Sequence, residues 1–511
     1  MSLASPKALQ VNSRVLARNT LFNFGGQATV ALVAIIVVPL VVRALGHDRY
    51  GLLSLALTVF GSFSLLELGL GRTTTKFVAE YLGKGKVDRL GSVVWTSFGL
   101  QVLIGIFGGF LLALAAPFLA RRVLNVPVEL VEEAQTMFFI LAFSAPVVLG
   151  SSALRGALEG AQRFDLVNAI KVALNISTYL IPLIGAHINI GITGIVFLML
   201  VVRLIATIAY LLCCLWTFPS IRTHLSFDVF SLPFLISYAG WIALSNLIVP
   251  FLVQLDRYLI ASLVSVKAVT FYSVPFEILN GLWIIPSGVA MVLFPAFSSL
   301  QAKGNKNLAD LYMRPIKYIL ISLGATVVLV ATFSKDLLLV WQGPMFAEKS
   351  ALVLQILVTG VLINSLGWVP ANLLMGFGRP DLTTKIHVIQ LVIYPGAVYL
   401  LILRWGIVGA AVAFTLRVTL ETVLVFIASW WLAPAIRHSF WQCKILAALI
   451  SLLAFVIILL GIRQINADLL IHCLLSLLSS TLYACVVWLF VLDKTDTGIF
   501  YSLLVRPPRV M

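Results

Sequence analysis

Long apolar stretches separated by short polar connections form the main pattern of this sequence. Stretches of about 20 residues or more with few charges recur from Leu21 to Leu492. Each is long enough to cross a hydrocarbon core of about 30 Å as a helix. A membrane barrel would require strands of about ten residues with alternating polarity, and no such alternation is present. The pattern therefore predicts an all-α polytopic membrane protein.

About fourteen transmembrane helices are predicted, and the eighth is expected to be kinked because it contains Pro275, Pro286 and Pro295. The approximate bounds are 19–43, 50–71, 91–120, 134–156, 165–188, 191–217, 229–255, 269–300, 315–341, 350–377, 382–403, 406–433, 441–462 and 468–492. The longest connections, such as 72–90 and 301–314, are too short to fold alone. No separate soluble domain is therefore expected.

Composition supports a membrane protein and orients it. Apolar residues make up 61% of the chain, charged residues make up 11%, and the mean hydropathy is +1.06. Of the 35 Lys and Arg residues, 23 lie at the termini and the even-numbered connections, including nearby helix ends, and 10 lie at the odd-numbered ones. This asymmetry predicts that both termini are cytoplasmic. The net charge of +15 is spread over short loops, which argues against nucleic acid binding.

Signatures of catalysis and of metal binding are absent from the sequence. It has no phosphate loop, no His-Glu metal motif and no nucleophile elbow. The five Cys residues lack metal-ligand spacing, and the six scattered His residues, including His387, are interpreted as interfacial. We therefore expect no enzyme activity and no cofactor, and we expect transport to draw on an ion gradient, a partner or the substrate gradient.

One polar turn occurs twice in the chain. "GAQRFDL" at 160–166 is matched by "GFGRPDL" at 376–382, and "NIGITG" at 189–194 is matched by "RWGIVG" at 404–409. A looser pair, "LGKGK" and "AKGNK", follows the second and eighth spans, and all offsets lie between 215 and 219. We interpret the Gly as a bend, the Asp as a cap of the next helix and the Arg as a snorkelling residue.

The offsets predict two six-helix pseudo-repeats of parallel orientation around a central cavity. The predicted boundaries are 1–228 for the N-terminal half and 229–435 for the C-terminal half. Residues 436–511 would add two further helices and a cytoplasmic tail. Parallel halves of this kind suit a transporter whose central site opens alternately to each side.

Two arginines are predicted to lie deep in the membrane, where a charge is costly. Arg203 follows Gly191 by twelve residues, or roughly 18 Å of helix, and Arg417 follows Gly406 by eleven. Either is a candidate ligand for an anionic substrate group, or part of a structural salt bridge. Glu421 lies four residues after Arg417 and is its predicted ion-pair partner.

Acidic residues within the spans are candidates for ion coupling. Glu67 and Glu277 are predicted inside the second and eighth helices, and either is a proton or cation carrier or a hydrogen-bonded core carboxyl. We favour Glu277 as the proton-sensitive group because no basic residue lies within one turn of it, whereas Arg72 follows Glu67.

Two blocks of sequence resemble a known transporter family. "RYGLLSLALTVFGSFSLLELGLGRTTTKFVAEYLGKGK" at 49–86 is similar to the second-helix signature of polysaccharide-repeat flippases of the multidrug/oligosaccharidyl-lipid/polysaccharide exporter superfamily. The stretch 254–300 is similar to the helix seven to eight passage of that family and contains Asp256 and Tyr272 at matching places. With Glu67, Glu277 and Glu421, Asp256 is therefore a coupling or gating candidate.

The resemblance implies a flippase that moves undecaprenyl-pyrophosphate-linked oligosaccharide across the bacterial cytoplasmic (inner) membrane. Implied partners are that lipid-linked substrate, membrane lipids, H⁺ or Na⁺, and polysaccharide polymerase or chain-length proteins. Three alternatives stay open, namely a drug or cation exporter of the same fold, a polytopic glycosyltransferase or polymerase, and a purely structural lipid scramblase partner. An exporter of cations would be expected to have acidic residues in its cavity. A glycosyltransferase or polymerase would be expected to have acidic catalytic residues in a large outer loop.

Overall fold

The computed structural model describes residues 13–67, 70–84, 90–219, 232–290, 308–434, 444–465 and 469–493, together with residues 293, 297, 436, 496 and 497. This part of the chain is helical and contains no strand. Its α-helices are α1 (Ser13–Leu66), α2 (Leu70–Gly83), α3 (Leu90–Phe118), α4 (Val131–Gly160), α5 (Phe164–His187), α6 (Gly191–Thr217), α7 (Leu232–Leu263), α8 (Val266–Leu282), α9 (Leu308–Thr332), α10 (Ser334–Gln342), α11 (Pro344–Lys349), α12 (Ala351–Gly376), α13 (Pro380–Leu432), α14 (Ile445–Gln464) and α15 (Leu469–Val486).

The membrane-spanning helices match the predicted pattern. Eleven stretches of the described residues are long and apolar enough to cross a membrane. Two of them, Gly25–Phe63 and Pro380–Leu432, each cover two predicted spans, and α7 covers the span predicted at 229–255. Large apolar side chains such as Leu103 and Phe107 are 64% exposed, as expected of residues that face lipid. The all-α polytopic prediction is confirmed.

Glycines divide the two longest helices into separate arms. Gly46 interrupts α1 with φ 75° and ψ 169°, and Gly406 interrupts α13 with φ 57° and ψ −133°. These backbone angles are accessible to glycine and costly for other residues. Each glycine therefore forms the connection between two successive predicted spans.

Several predicted boundaries are wrong. The connection predicted at 72–90 contains α2, whose many polar residues hid the helix from a search for apolar spans. The ninth predicted span divides at Phe333 into α9 and α10, and the eighth is interrupted at Trp283. Pro286 explains the second break because proline has no N–H to donate to the carbonyl four residues earlier. Pro295 lies outside the described residues.

The chain forms two compact units, residues 1–274 and 275–511. In the first unit, Gly105 and Gly109 of α3 lie directly against Pro146 and Ala142 of α4, with no room for a side chain between the helices. In the second unit, Gly367 of α12 lies close to Thr422 of α13, where a Cβ would be 2.8 Å from the Thr422 hydroxyl. Small residues thus permit close helix packing in each unit. The division into halves at residue 228 remains a prediction.

The repeated turn has the same geometry in both copies. Gln162 and Gly378, 216 residues apart, adopt positive φ of 60° and 69°. Arg163 Nε and Nη2 donate to the two carboxylate oxygens of Asp165 at 3.0 and 2.9 Å, and Arg379 binds Asp381 in the same way at 2.9 and 3.1 Å.

The geometry corrects the chemistry expected of this turn. The bend lies at the third residue of the motif and not at its first Gly. The Asp binds the Arg, and neither α5 nor α13 has a side-chain cap.

An interhelical hydrogen bond also repeats. Thr207 Oγ1 of α6 lies 3.3 Å from the carbonyl of Val147 in α4 and 2.8 Å from that of Arg203 in its own helix, so its proton is shared between the two. Thr422 Oγ1 of α13 donates to the carbonyl of Ile363 in α12 at 3.1 Å. The donors are 215 residues apart and the acceptors 216, so both partners follow the sequence repeat. The duplication therefore extends to helix packing.

The last two helices are attached to α9 at several levels. Arg463 donates to the carbonyl of Thr332 at the end of α9 at 2.9 Å, and Tyr483 donates to that of Ile321 at 3.2 Å. At the other end, Asp496 accepts hydrogen bonds from Arg314, Lys317 and Tyr318. The helices after residue 436 are therefore an integral part of the second unit.

Candidate substrate and coupling sites in the membrane spans

Arg203 lies in the middle of α6. It is the only charged residue of that helix, which begins at Gly191 and ends at Thr217. The Arg203 guanidinium carbon is 3.9 Å from the centre of the Phe60 ring, in cation–π geometry. Its Nε is buried and has no hydrogen-bond partner among the described residues. Because α6 contains no acid, its own helix leaves this cation without a counter-charge, as predicted.

Arg417 lies eleven residues after Gly406 in the second arm of α13 and has a different environment. Arg417 Nη1 is 3.7 Å from Glu421 Oε2, which confirms the predicted ion pair. The same nitrogen donates to Gln390 Oε1 at 3.5 Å, and the guanidinium lies over the Tyr394 and Phe414 rings. The Arg417 side chain is 5% exposed. Its Nε, like that of Arg203, has no hydrogen-bond partner among the described residues. Arg417 therefore differs from Arg203 in having an acid and an amide of its own unit beside Nη1.

His387 joins this group from the first arm of α13. Its Nε2 is 3.5 Å from Glu421 Oε1, and Gln390 Nε2 donates to Glu421 Oε2 at 3.3 Å. Glu421 is thereby connected to both arms of the broken helix. The His387 side chain is only 15% exposed and faces a carboxylate, a contact that the interpretation as a scattered interfacial residue did not include. The break at Gly406, between the spans predicted at 382–403 and 406–433, brings His387 and Gln390 back to Glu421.

Glu67 lies in a turn and not inside a helix as predicted. α1 ends at Leu66, and the Glu67 carbonyl accepts the N–H of Leu70 at the start of α2. The carboxylate lies against the first turn of α2, where a Cβ on Gly71 would be 2.3 Å from Glu67 Oε1. A negative charge at this end of a helix is favourable. The position supports the structural alternative, and a coupling role for Glu67 stays a prediction.

Asp256 and Arg257 were assigned to an outer connection, but α7 continues past them to Leu263. Asp256 is fully buried and accepts a hydrogen bond of 2.7 Å from Tyr272 of α8. Arg257 Nη1 donates to Gln254 Oε1 at 2.9 Å. The sequence analysis missed Arg257 as a membrane cation, although the apolar residues that resume after it indicate a continuing helix.

Glu277 lies in α8, as predicted, and is half-buried. Its Oε2 accepts a hydrogen bond of 3.3 Å from Asn280. Among the ranges described, no group of three His, Cys, Asp or Glu residues is placed to hold a metal ion. A cavity of about 520 Å³ in the second unit is lined by α9, α10 and α15, and none of the predicted site residues lines it.

A family model described as "Polysaccharide biosynthesis protein" matches residues 16–301, which is more than half of the chain. The chain belongs to this family. Within the matched region lie Glu67, Arg203, Asp256 and Glu277, whereas Arg417 and Glu421 lie beyond it. As a family member it is a multi-pass membrane protein of polysaccharide biosynthesis.

Similar proteins include the "Putative O-antigen transporter" of Shigella flexneri, which is 26% identical over 423 residues, covering 80% of this chain and 96% of that protein. The "Uncharacterized membrane protein EpsK" of Bacillus subtilis is 22% identical over 371 residues, covering 68% and 70%. The alignment with this chain thus covers nearly the whole of the Shigella protein.

Solved structures of two transporters share the fold. An inward-facing multidrug resistance MATE family transporter of the MOP superfamily has a TM-score of 0.70 at 16% identity, covering 80% of this chain and 96% of that one. The lipid II flippase MurJ, in an inward closed conformation, has a TM-score of 0.67 at 14% identity, covering 95% and 100%. At these identities the likeness concerns the fold alone.

Proposed function

We propose that this protein is a flippase that transfers undecaprenyl-pyrophosphate-linked oligosaccharide repeat units from the inner to the outer leaflet of the bacterial inner membrane. Its similarity to an O-antigen transporter and its shared fold with a lipid II flippase support this proposal. The observation that carries it is Arg203, a partly buried cation in the middle of α6 whose Nε has no hydrogen-bond partner among the described residues and whose helix contains no acid. Such a charge is costly in the membrane unless an anion accompanies it.

Arg203 is the proposed ligand for the pyrophosphate group. A guanidinium presents its donors as a rigid planar fork that matches two phosphate oxygens, and the Phe60 ring would hold that fork in place. Arg417 is the second proposed ligand. Because Glu421 and Gln390 already contact Arg417, it requires a rearrangement before it can bind an anion.

Transport would proceed by alternating access between two parallel halves, residues 1–228 and 229–435, with residues 436–511 attached to the second. Both termini would lie in the cytoplasm. Coupling to H⁺ or Na⁺ would involve Glu277, with Glu67, Glu421 and Asp256 as further candidates. Polysaccharide polymerase or chain-length proteins would act on the product at the outer leaflet.

A multidrug or cation exporter is the second candidate function. The MATE transporter has a slightly higher TM-score than the flippase, which favours it on fold alone. A cationic substrate, however, would be repelled by Arg203, which has no acid in its own helix to neutralise it. A glycosyltransferase or polymerase is less well supported, because the outer connections at 124–127 and 264–265 are short.

The decisive experiment is deletion of the gene followed by identification of the lipid-linked sugar that accumulates. Complementation with Arg203→Ala is expected to restore export about tenfold less well than wild type, and Arg203→Lys to rescue partly because a lysine lacks the fork. Arg404→Ala is the matched control, since Arg404 is exposed at the connection between the arms of α13. Normal export by an Arg203→Ala, Arg417→Ala double variant at native protein level would contradict the assignment of these ligands.

A further inference from the structure

The cavity of about 520 Å³ in the second unit lies between α15 and the helices α9 and α10. Most of its lining consists of apolar side chains, among them Leu329, Leu337, Val340 and Leu477. The volume is within the range of about 300–1,000 Å³ found for small-molecule sites. Because none of the proposed pyrophosphate ligands or coupling residues lines this cavity, the proposed transport pathway does not account for it.

The cavity is a wedge between two helices that touch at one level and separate at another. Tyr483 of α15 donates to the Ile321 carbonyl of α9 at 3.2 Å. About two turns away, towards the start of α15 and the end of α9, the cavity lies between Leu477 and Leu329. The wedge, as we call this cavity, therefore widens towards the connections that the charge asymmetry places on the outer side of the membrane.

The sequence repeat indicates that this side of α9 is a lipid-facing surface. At the offset of 216, Val330 in the wall of the wedge corresponds to Leu114 of α3, which is 63% exposed, as expected of a residue that faces lipid. Residues 436–511 follow the two copies, so α15 covers a side of α9 that its counterpart in the first copy exposes. A gap beneath α15 lies in the hydrocarbon layer, where lipid chains and not water are available to fill it.

Charged and titratable groups lie at the wide end of the wedge. Asp336 of α10 and His472 of α15 line it, and the His472 ring is 6.2 Å from the ring of Phe333, just past the end of α9. Beside them, the exposed Arg463 donates to the Thr332 carbonyl at 2.9 Å. A guanidinium has five N–H donors, and its planar fork matches a phosphate. The wide end thus suits a phosphate head group, and the narrow end suits a hydrocarbon chain.

Ser476 lies at the level between these two ends. It is one turn along α15 from His472, and its buried Oγ has no hydrogen-bond partner among the described residues. One turn further, the Ser480 hydroxyl donates to the Ser476 carbonyl at 2.6 Å and is satisfied within its own helix. A buried hydroxyl without an acceptor is costly. An occupant of the wedge with an acceptor at the level of Ser476 would remove that cost.

We propose that the wedge is a binding site for a glycerophospholipid, with one acyl chain held between α9 and α15. Arg463 would bind the phosphate, an ester carbonyl would accept the Ser476 hydroxyl, and the chain would lie along Leu329 and Leu477. Phosphate, ester and hydrocarbon follow one another in such a lipid in the same order as these groups along the wedge. A polyprenyl phosphate, in contrast, continues as hydrocarbon directly from its phosphate and leaves Ser476 without an acceptor. This inference does not depend on the proposed function.

Native mass spectrometry of the purified full chain tests the site. The protein would be washed in detergent to remove loosely held lipid and supplied with phosphatidylglycerol, and the fraction that retains one lipid would be measured. Leu477→Trp fills the wedge and is expected to reduce this retention at least about tenfold, a loss of about 1.4 kcal/mol in binding. Leu474→Trp is the matched control, since Leu474 is on the same helix, is 58% exposed and does not line the wedge.

Smaller changes test the two polar contacts. Ser476→Ala should lower the retention of phosphatidylglycerol severalfold, whereas Ser480→Ala should leave it unchanged because that hydroxyl is bonded within its own helix. Diacylglycerol has the same esters and no phosphate, so wild type should retain it severalfold less well than phosphatidylglycerol. Arg463→Ala should abolish this preference, and any general effect of the substitution on α9 would act on both lipids alike.

Each contrary result has a defined meaning. No retained lipid in wild type, or equal retention by wild type and Leu477→Trp, would overturn the site. Equal effects of Ser476→Ala and Ser480→Ala would overturn the ester contact, and displacement of phosphatidylglycerol by an equal concentration of undecaprenyl phosphate would overturn the choice of lipid. Transport does not enter these measurements, so a chain that retains phosphatidylglycerol but moves no lipid-linked sugar would contradict the proposed function and leave this site standing.

Discussion

Arg203 and Arg417 occupy nearly equivalent places in the two sequence copies, yet their surroundings differ. Both follow a glycine with positive φ, by twelve and eleven residues respectively. Arg203 rests on the Phe60 ring with no acid in its helix, whereas Arg417 contacts Glu421 and Gln390. The duplicated framework has been retained while its intramembrane charges have diverged.

The divergence suggests a division of labour. The positions in the first copy that correspond to Gln390 and Glu421 are Leu174 and Ala206, so the first copy has no equivalent of these two partners of Arg417. A neutralised cation stabilises its own helix pair, and a cation without a counter-ion is available to an anionic substrate. Only the second unit, moreover, is bound to two additional helices.

Removal of the Asp496 carboxylate is expected to have the largest effect on stability. The Asp496 and Lys317 side chains are both fully buried, so Asp496→Asn leaves the Lys317 cation with only the more distant Asp493 carboxylate, at 3.8 Å. Breaking such a pair costs about 3–5 kcal/mol in the free energy of unfolding. Denaturation in detergent micelles would measure it, with Asp310→Asn as the control because Asp310 is 61% exposed and pairs only loosely with Arg314. Equal stability of the two variants would contradict a structural role of the tail.

The same contact has a defined pH dependence. Burial acts to raise the pKa of Asp496, but hydrogen bonds from the Asp493 backbone, Lys317 and Tyr318 outweigh it and hold the pKa below the ordinary value of 3.8. A carboxyl with a lowered folded-state pKa contributes stability above that ordinary value and loses it as the pH falls through the folded-state pKa. Unfolding measured between pH 5 and pH 8 should therefore show no change attributable to Asp496.

The charge cluster around Arg417 gives the next largest effect. Glu421→Gln leaves Arg417 buried without its counter-ion, at a cost of about 3 kcal/mol, the lower end of the range for buried pairs because Glu421 is 23% exposed. The double variant Arg417→Leu, Glu421→Leu should recover most of this loss. In contrast, Arg203→Leu leaves no acid of its own helix behind and should change stability by at most about 1 kcal/mol. A loss of unfolding free energy for Arg203→Leu as large as that for Glu421→Gln would contradict the proposed difference between the two arginines.

The sequence predicted the framework better than the site. Long apolar stretches fix the spans, and the repeat in "GAQRFDL" and "GFGRPDL" is reproduced in the Arg–Asp pairs. The partners of Arg417 were only half predicted. Glu421 lies one turn away in sequence, whereas His387 and Gln390 reach it because the chain folds back at Gly406.

Amphipathic segments account for other errors. α2 and the end of α7 contain polar residues that a search for apolar spans reads as loop. The predicted seventh span therefore ended before Asp256. The predicted second span ran past the end of α1 and so included Glu67. Backbone hydrogen bonding continues through such residues whether or not they are apolar. Contacts between distant turns, such as the hydrogen bond from the Asn125 N–H to the Ala261 carbonyl, leave no local pattern at all.

The glycines that begin α6 and the second arm of α13 both have positive φ, so we expect replacement of either with alanine to be destabilising. Gly406→Ala should cost about 2 kcal/mol because the backbone there suits only glycine. Gly191→Ala should cost somewhat more, since a Cβ would lie 2.6 Å from Glu133 Oε1, which accepts the Ile192 N–H at the start of α6. Gly396→Ala, in regular helix with open space, should instead be neutral or slightly stabilising. The melting temperatures of the three variants show whether replacing the glycine costs a similar amount of stability in both copies.

The smallest expected effect compares the repeated interhelical hydrogen bonds. Thr207→Val and Thr422→Val each remove a hydroxyl that donates to a carbonyl of the neighbouring helix, at 3.3 and 3.1 Å, and otherwise keep the shape of the side chain. Such bonds within membrane proteins contribute about 0.6 kcal/mol, so each variant should lose about that amount in detergent unfolding experiments. Donor, acceptor and neighbouring helix are related by the repeat, so both variants should show a loss, although the Thr207 hydroxyl also shares its proton with the Arg203 carbonyl at 2.8 Å. A loss in one copy only would mean that the packing of α4 with α6 and of α12 with α13 has diverged as far as the charges have, and that the duplication survives in the turns alone.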